Sequence, residues 1–152
     1  MKSILILTTL MLIFGGCSHK NAFSNFEMTQ KQELGASSLQ NSKVKAGERV
    51  DGIFSAIYLN EVYPESFNQN EYFYVFYYLK NEENTSLKLN GLAPLKIKKL
   101  EKENQFSHLV KVQNRWTQYY LVSFAQQENN ISLVFENGQS FSDALVYQKD
   151  EQ

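Results

Sequence analysis

Residues 72–79 read Tyr-Phe-Tyr-Val-Phe-Tyr-Tyr-Leu, an unbroken aromatic and aliphatic run in a chain of 152 residues. Wound as a helix, this run would be apolar all round. Aromatic and β-branched residues favour the extended state, where both faces of a central strand are covered by neighbours. A chain carrying such a segment has to bury it on two sides, so the segment dictates a β-type core.

The flanking segments agree. Residues 50–62 place Val50, Phe54, Ala56 and Tyr58 on one face and Ile53, Ile57 and Leu59 on the other, again a two-sided strand. Tyr63-Pro64-Glu65-Ser66 then marks a turn. Residues 86–92 alternate, with Leu87 and Leu89 inward. Residues 95–100 carry Lys96, Lys98 and Lys99, side chains typical of an exposed edge strand. Residues 106–112, 116–124, 131–135 and 141–147 complete the set, with Asn137-Gly138 between the last two as a type I′ hairpin signal. The spacing predicts an all-β domain of about 7–8 antiparallel strands, a sandwich or small barrel.

The N-terminal end has a different texture. Met1-Lys2 is followed by an apolar stretch to Phe14, then Gly15, Gly16 and Cys17. About a dozen apolar residues are too few to span a bilayer but suit an export signal. Residues 18–47 are rich in Asn, Gln, Ser and Lys and read as a polar tether, with a first edge strand or a loose helix at 26–34. The expected organisation is therefore a signal peptide at 1–16, Cys17 and a tether at 17–47, and the β domain at 48–152.

Phe14-Gly15-Gly16-Cys17 resembles the lipobox of bacterial lipoproteins. Phe14 stands where Leu is usual and supplies the bulky apolar side chain that the position asks for. The resemblance implies cleavage before Cys17, acylation of its thiol, and a stable anchor in the outer membrane, facing the periplasm or the cell surface. Ser18, in the place of the Asp that retains lipoproteins in the inner membrane, leans the same way. Cys17 is also the only cysteine, so the domain has no internal disulfide. The Lys/Asn-rich and Phe/Tyr-rich texture, with the 71–89 segment, resembles small lipoproteins of epsilon-class Gram-negative bacteria that carry an immunoglobulin-like β-sandwich. Asn84-Thr85-Ser86 and Asn130-Ile131-Ser132, each with Glu two residues before its Asn, resemble bacterial N-glycosylation acceptors, making Asn84 and Asn130 candidate modification sites.

The remaining chemistry is sparse. The two histidines, His19 and His108, stand far apart in sequence, and no Cys cluster, Asp-rich calcium loop or Gly-rich phosphate loop occurs. No metal or cofactor and no catalytic residue is expected. Removing residues 1–16 takes Lys2 and no acid, leaving 14 basic against 16 acidic side chains, a balance that offers no general attraction to nucleic acid. Tyr74, Tyr78 and Tyr119 are candidate binding residues, because tyrosine gives large rigid contact area with a polar tip. The expected function is a non-enzymatic, lipid-anchored protein-binding or adhesion module. The alternatives are a periplasmic accessory lipoprotein of an outer-membrane or secretion complex, and an inhibitor of a host hydrolase acting through the loop at 82–86.

Overall fold

The structure, a computed structural model, describes residues 28–110, 114–128 and 130–149. Cys17, the export signal and the first part of the tether lie outside the described residues.

The chain enters through helix α1 (Gln30–Ser37). Thr29 caps it reciprocally: the Gln32 amide donates to the Thr29 hydroxyl, and the Thr29 amide donates to Gln32 Oε1 at 2.9 Å. Strands β1 (Leu39–Ala46) and β2 (Arg49–Tyr58) form a hairpin around Gly47-Glu48. A single helical turn, α2 (Leu59–Val62), precedes β3 (Glu71–Leu79) and β4 (Thr85–Leu89). Strand β5 (Lys96–Leu100) leads to a 3₁₀ turn at Ser107–Leu109. Strands β6 (Gln118–Phe124), β7 (Ile131–Asn137), β8 (Ser140–Ser142) and β9 (Leu145–Tyr147) end the chain.

The domain is all-β and antiparallel, as expected, but the strands form one sheet. Its order is β4-β7-β8-β1-β2-β3-β6-β5, with β9 paired to β7. The sheet curls into a half-barrel whose arms face each other across the core. Phe135 on β7 stacks on Phe54 of β2 at 5.0 Å between ring centres and meets Tyr77 of β3 at 4.8 Å. Pairing runs continuously from arm to arm, because β8 and β1 join at Val44↔Ser142; the expected immunoglobulin-like sandwich is not confirmed by this arrangement.

Three expectations are corrected. Residues 30–46 are not tether: β1 lies in the interior of the sheet, between β2 and β8. Its polarity reflects an exposed outer face, with only Ser42 and Val44 fully buried. Residues 107–109 are a 3₁₀ turn and not a strand, with Phe106 and Leu109 packed on the outside of the sheet and the Phe106 amide donating to Asn104 Oδ1. The final strand is split at Asp143-Ala144 into β8 and β9.

The interior of the half-barrel is filled by Phe54, Tyr58, Phe73, Tyr77, Phe124, Phe135 and Tyr147 with aliphatic neighbours. A second cluster on the outer face of β2, β3 and β6 lies under α1, α2 and the 101–110 segment, centred on Ile57, Tyr74, Phe106 and Tyr119. This explains the two-sided character of 72–79.

Turn chemistry is redistributed relative to expectation. The type I′ signature, two positive φ angles, occurs at Asn90 (49°) and Gly91 (81°), closing a tight turn between Leu89 and Leu92. At the β7–β8 hairpin only Gly138 has positive φ, at 60°. Its central residues are Gly138-Gln139, since Asn137 pairs with Ser140.

Candidate binding surface

Side chains pack the interior of the half-barrel, and depressions among the described residues open on its outside. Two lie at its ends.

At one end, a cleft of about 450 Å³ opens over Glu71, Tyr58 and Lys149, rimmed by Asn68, Gln126 and Gln148. Glu71 is completely buried. Its Oε2 accepts the Tyr58 hydroxyl at 2.5 Å, and its Oε1 accepts the Gln127 amide at 2.7 Å and Lys149 Nζ at 2.6 Å. Every partner is a donor, so both oxygens of the carboxylate are engaged by the fold. Burial, and then the bond to Glu71, push the Tyr58 hydroxyl far above its ordinary range.

At the other end, a depression of about 540 Å³ is lined by Arg49, Asp51, Lys80 and Ser140. Arg49 grips Asp51 through two bonds of 2.8 and 3.0 Å, and Ser140 donates to the same carboxylate. These contacts, Arg49 first, hold Asp51 below the usual carboxylate range. Lys80 donates to the Val50 carbonyl.

The third depression is the seam where the two ends of the sheet approach each other. A slot of about 70 Å³ is lined by Leu87 from β4, Ile97 from β5, and Tyr77, Tyr120 and Phe135 behind them. Among the described residues, strands β4 and β5 each pair on one side only, with β7 and β6 respectively, and not with each other. Each therefore keeps a row of unpaired backbone groups. The Leu89–Leu92 turn and Ala93-Pro94 carry the chain across one end of the seam. Near the other, Gln118 Nε2 donates to Glu82 at 2.5 Å and the Tyr77 hydroxyl donates to Glu82 at 3.1 Å. Glu82 thus ties the loop before β4 to β6. Burial, with a further contribution from Tyr120, holds the Tyr77 hydroxyl protonated well beyond its ordinary range.

Register identifies the faces of β5. Ile97 lies opposite Val122 and Lys99 opposite Tyr120, which places both on the core side; Lys96 and Lys98 point outward. Val122 is fully buried, yet Ile97 is 51 % exposed because nothing among the described residues closes the seam over it. Leu92 and Leu95 beside it are 52 % and 62 % exposed. Lys99 Nζ donates to Gln118 Oε1 at 3.0 Å and stands 5.9 Å from the centre of the Tyr120 ring. Among the described residues, Lys96, Lys98 and Lys99 form no salt bridge.

The tyrosines singled out from sequence do not form a surface groove. Tyr74 and Tyr119 are buried in the outer cluster, where Asn104 Nδ2 donates to the Tyr74 hydroxyl at 3.3 Å. Tyr78 alone is partly open, at 41 %. Asn84 and Asn130 are both exposed, at opposite ends of the half-barrel, each just before a strand (β4 and β7). The acidic loop at 82–86 is engaged by its own chain: Glu82 as above, and the Glu83 amide on Asn137 Oδ1 at 2.7 Å. Sequence reasoning marked β5 as an edge through its lysines but missed the seam, which exists only through the long-range pairing that sets β4 opposite β5.

Among the described residues, no group of three or more His, Cys, Asp or Glu is arranged to hold a metal ion. Among them, too, no helix is long and apolar enough to cross a membrane. Comparison with known protein families, with curated proteins and with solved structures finds no match to this chain.

Proposed function

We propose that this protein is a lipid-anchored, non-enzymatic binding module of the bacterial cell envelope that takes a protein partner at the β4–β5 seam. One observation carries the reading: two unpaired strand edges flank a slot in which Ile97, a core-facing side chain, is half exposed. Exposed strand edges beside apolar side chains are surfaces that proteins use to add a strand from a partner. The lipobox-like sequence at Cys17 supports the anchor.

Two measurements test it. Incorporation of a fatty-acid analogue is expected in the native protein and should vanish in Cys17→Ala. A photo-crosslinking side chain at position 97 is expected to trap a defined adduct in intact cells, while one at Lys43, on the exposed face of β1, should not. Label surviving in Cys17→Ala removes the anchor from the reading; equal trapping at both positions removes the seam. Intact-mass measurement of the native protein serves the Asn84 and Asn130 proposal, which fails if polypeptide plus lipid accounts for the whole mass.

A further inference from the structure

We infer that the free edge of β5 receives an extended segment of the partner in which acidic side chains alternate with apolar ones. The inference rests on the seam reading above and adds the chemistry of the occupant. A strand added to β5 lies 4.7–4.9 Å away, with its side chains directly beside those of β5 on each face. On the outward face its neighbours are Lys96 and Lys98, exposed and without carboxylate partners among the described residues. On the inward face its neighbours are Ile97, the slot lined by Leu87, Tyr77 and Phe135, and Lys99, whose ammonium is held by Gln118 Oε1. Acids outward and apolar groups inward answer both faces.

The connection between β4 and β5 is long enough to admit one such strand. After the tight turn at Leu89–Leu92, the chain reaches Lys96 in four residue steps, a reach of at most about 14 Å. A strand seated between β4 and β5 needs their backbones about 9.5 Å apart, two strand spacings. A second copy of this chain pairing through its own β5 is disfavoured, because it would set lysines against lysines. Edge lysines deter strands of like charge, and the same charges select an acidic strand. Glu101 and Glu103 lie beyond the C-terminal end of β5 and limit the acidic stretch to its length.

The test is fluorescence anisotropy with the full chain in detergent and a labelled peptide of about ten residues alternating Val and Glu. Saturable binding is expected, about tenfold or more tighter than for the Val–Lys counterpart and weakened by added salt. Lys96→Glu with Lys98→Glu should reverse the preference, and N-methylation of alternate peptide amides should abolish binding. Because both lysines are exposed, the variant is expected to keep the native circular dichroism spectrum; the salt titration on the unaltered chain tests the same charges without any variant. No saturable binding, equal binding of the two peptides, or indifference to N-methylation overturns the inference. A peptide that fails while position 97 still traps a partner in cells sinks the acidic strand and leaves the seam standing. Failure of both removes the seam.

Discussion

Replacing Glu71 with Gln isolates the one completely buried acidic side chain among the described residues. The change keeps shape and removes charge. A carboxylate here accepts from Tyr58, Gln127 and Lys149; a carboxamide offers one acceptor oxygen and turns its NH₂ toward a second donor. Hydrogen bonds to charged groups contribute roughly 1.5–3 kcal/mol each, and breaking a buried pair costs about 3–5 kcal/mol. Lys149 is 26 % exposed and keeps its bond to the Gln127 carbonyl, so it recovers part of its hydration. The expected loss is therefore near the lower bound, about 3 kcal/mol. In a urea titration with a slope of about 2 kcal/mol/M, the midpoint should fall by about 1.5 M with the slope unchanged. Lys149→Met and Tyr58→Phe should each cost about 1–2 kcal/mol, and combining either with Glu71→Gln should cost less than the sum. A loss below about 1 kcal/mol for Glu71→Gln, or strict additivity with Lys149→Met, would refute the assignment of this cluster as one coupled unit.

Backbone sterics and tyrosine burial set further outcomes. Gly52→Ala places a Cβ 2.2 Å from the Tyr78 carbonyl oxygen on the neighbouring strand, so β2 and β3 must separate; the expected cost is about 1–3 kcal/mol or more by the same titration. Gly47→Ala meets no atom within 4 Å, yet its φ of 59° still costs about 1–2 kcal/mol, with the fold intact by circular dichroism. At alkaline pH, burial raises the hydroxyls of Tyr58, Tyr74, Tyr77 and Tyr147, that of Tyr74 to about 12. The folded state then holds protons that the unfolded chain releases. Their contribution is complete below the ordinary tyrosine value of about 10 and is lost as pH rises past it. Phenolate absorbance of these four should appear together with unfolding, and smooth independent titration near the ordinary value would contradict their burial.

The segment 72–79 was legible because its environment is uniform: apolar neighbours on both faces leave no ambiguity in its side chains. Strand β1 was not. It sits inside the sheet, but Asn41, Lys43 and Lys45 face away from the core, and its inward side holds Gln40 and a serine whose hydroxyl accepts the Asp143 amide. Sequence polarity reports side-chain exposure and not backbone pairing, so a central strand with a solvated face resembles a tether. The strand expected at 106–112 failed over 106–110 for another reason; 111–112 lie outside the described residues. Phe106 and Leu109 recur at a spacing of three, and Asn104 upstream with Ser107 in the turn itself supply turn-forming hydrogen bonds, signals that outweigh a weak alternation. The lysines of β5 announced an edge. What that edge faces depends on β7 joining β4 to the far arm, and no local pattern encodes it.

The two outermost strands of the sheet, β4 and β5, are consecutive in the chain and joined by a short connection. One contiguous stretch therefore acts as a clasp, fastened to β7 at one side and to β6 at the other. Either fastening can release while the rest of the ladder stays paired, so the opening should breathe as a local unit, with hydrogen exchange faster than the global unfolding limit. During folding the clasp engages late, since both of its partners are made after it. A newly made chain thus holds β4 without its partner until Ile131–Asn137 has been added, whereas β5 can pair as soon as Gln118–Phe124 has been made.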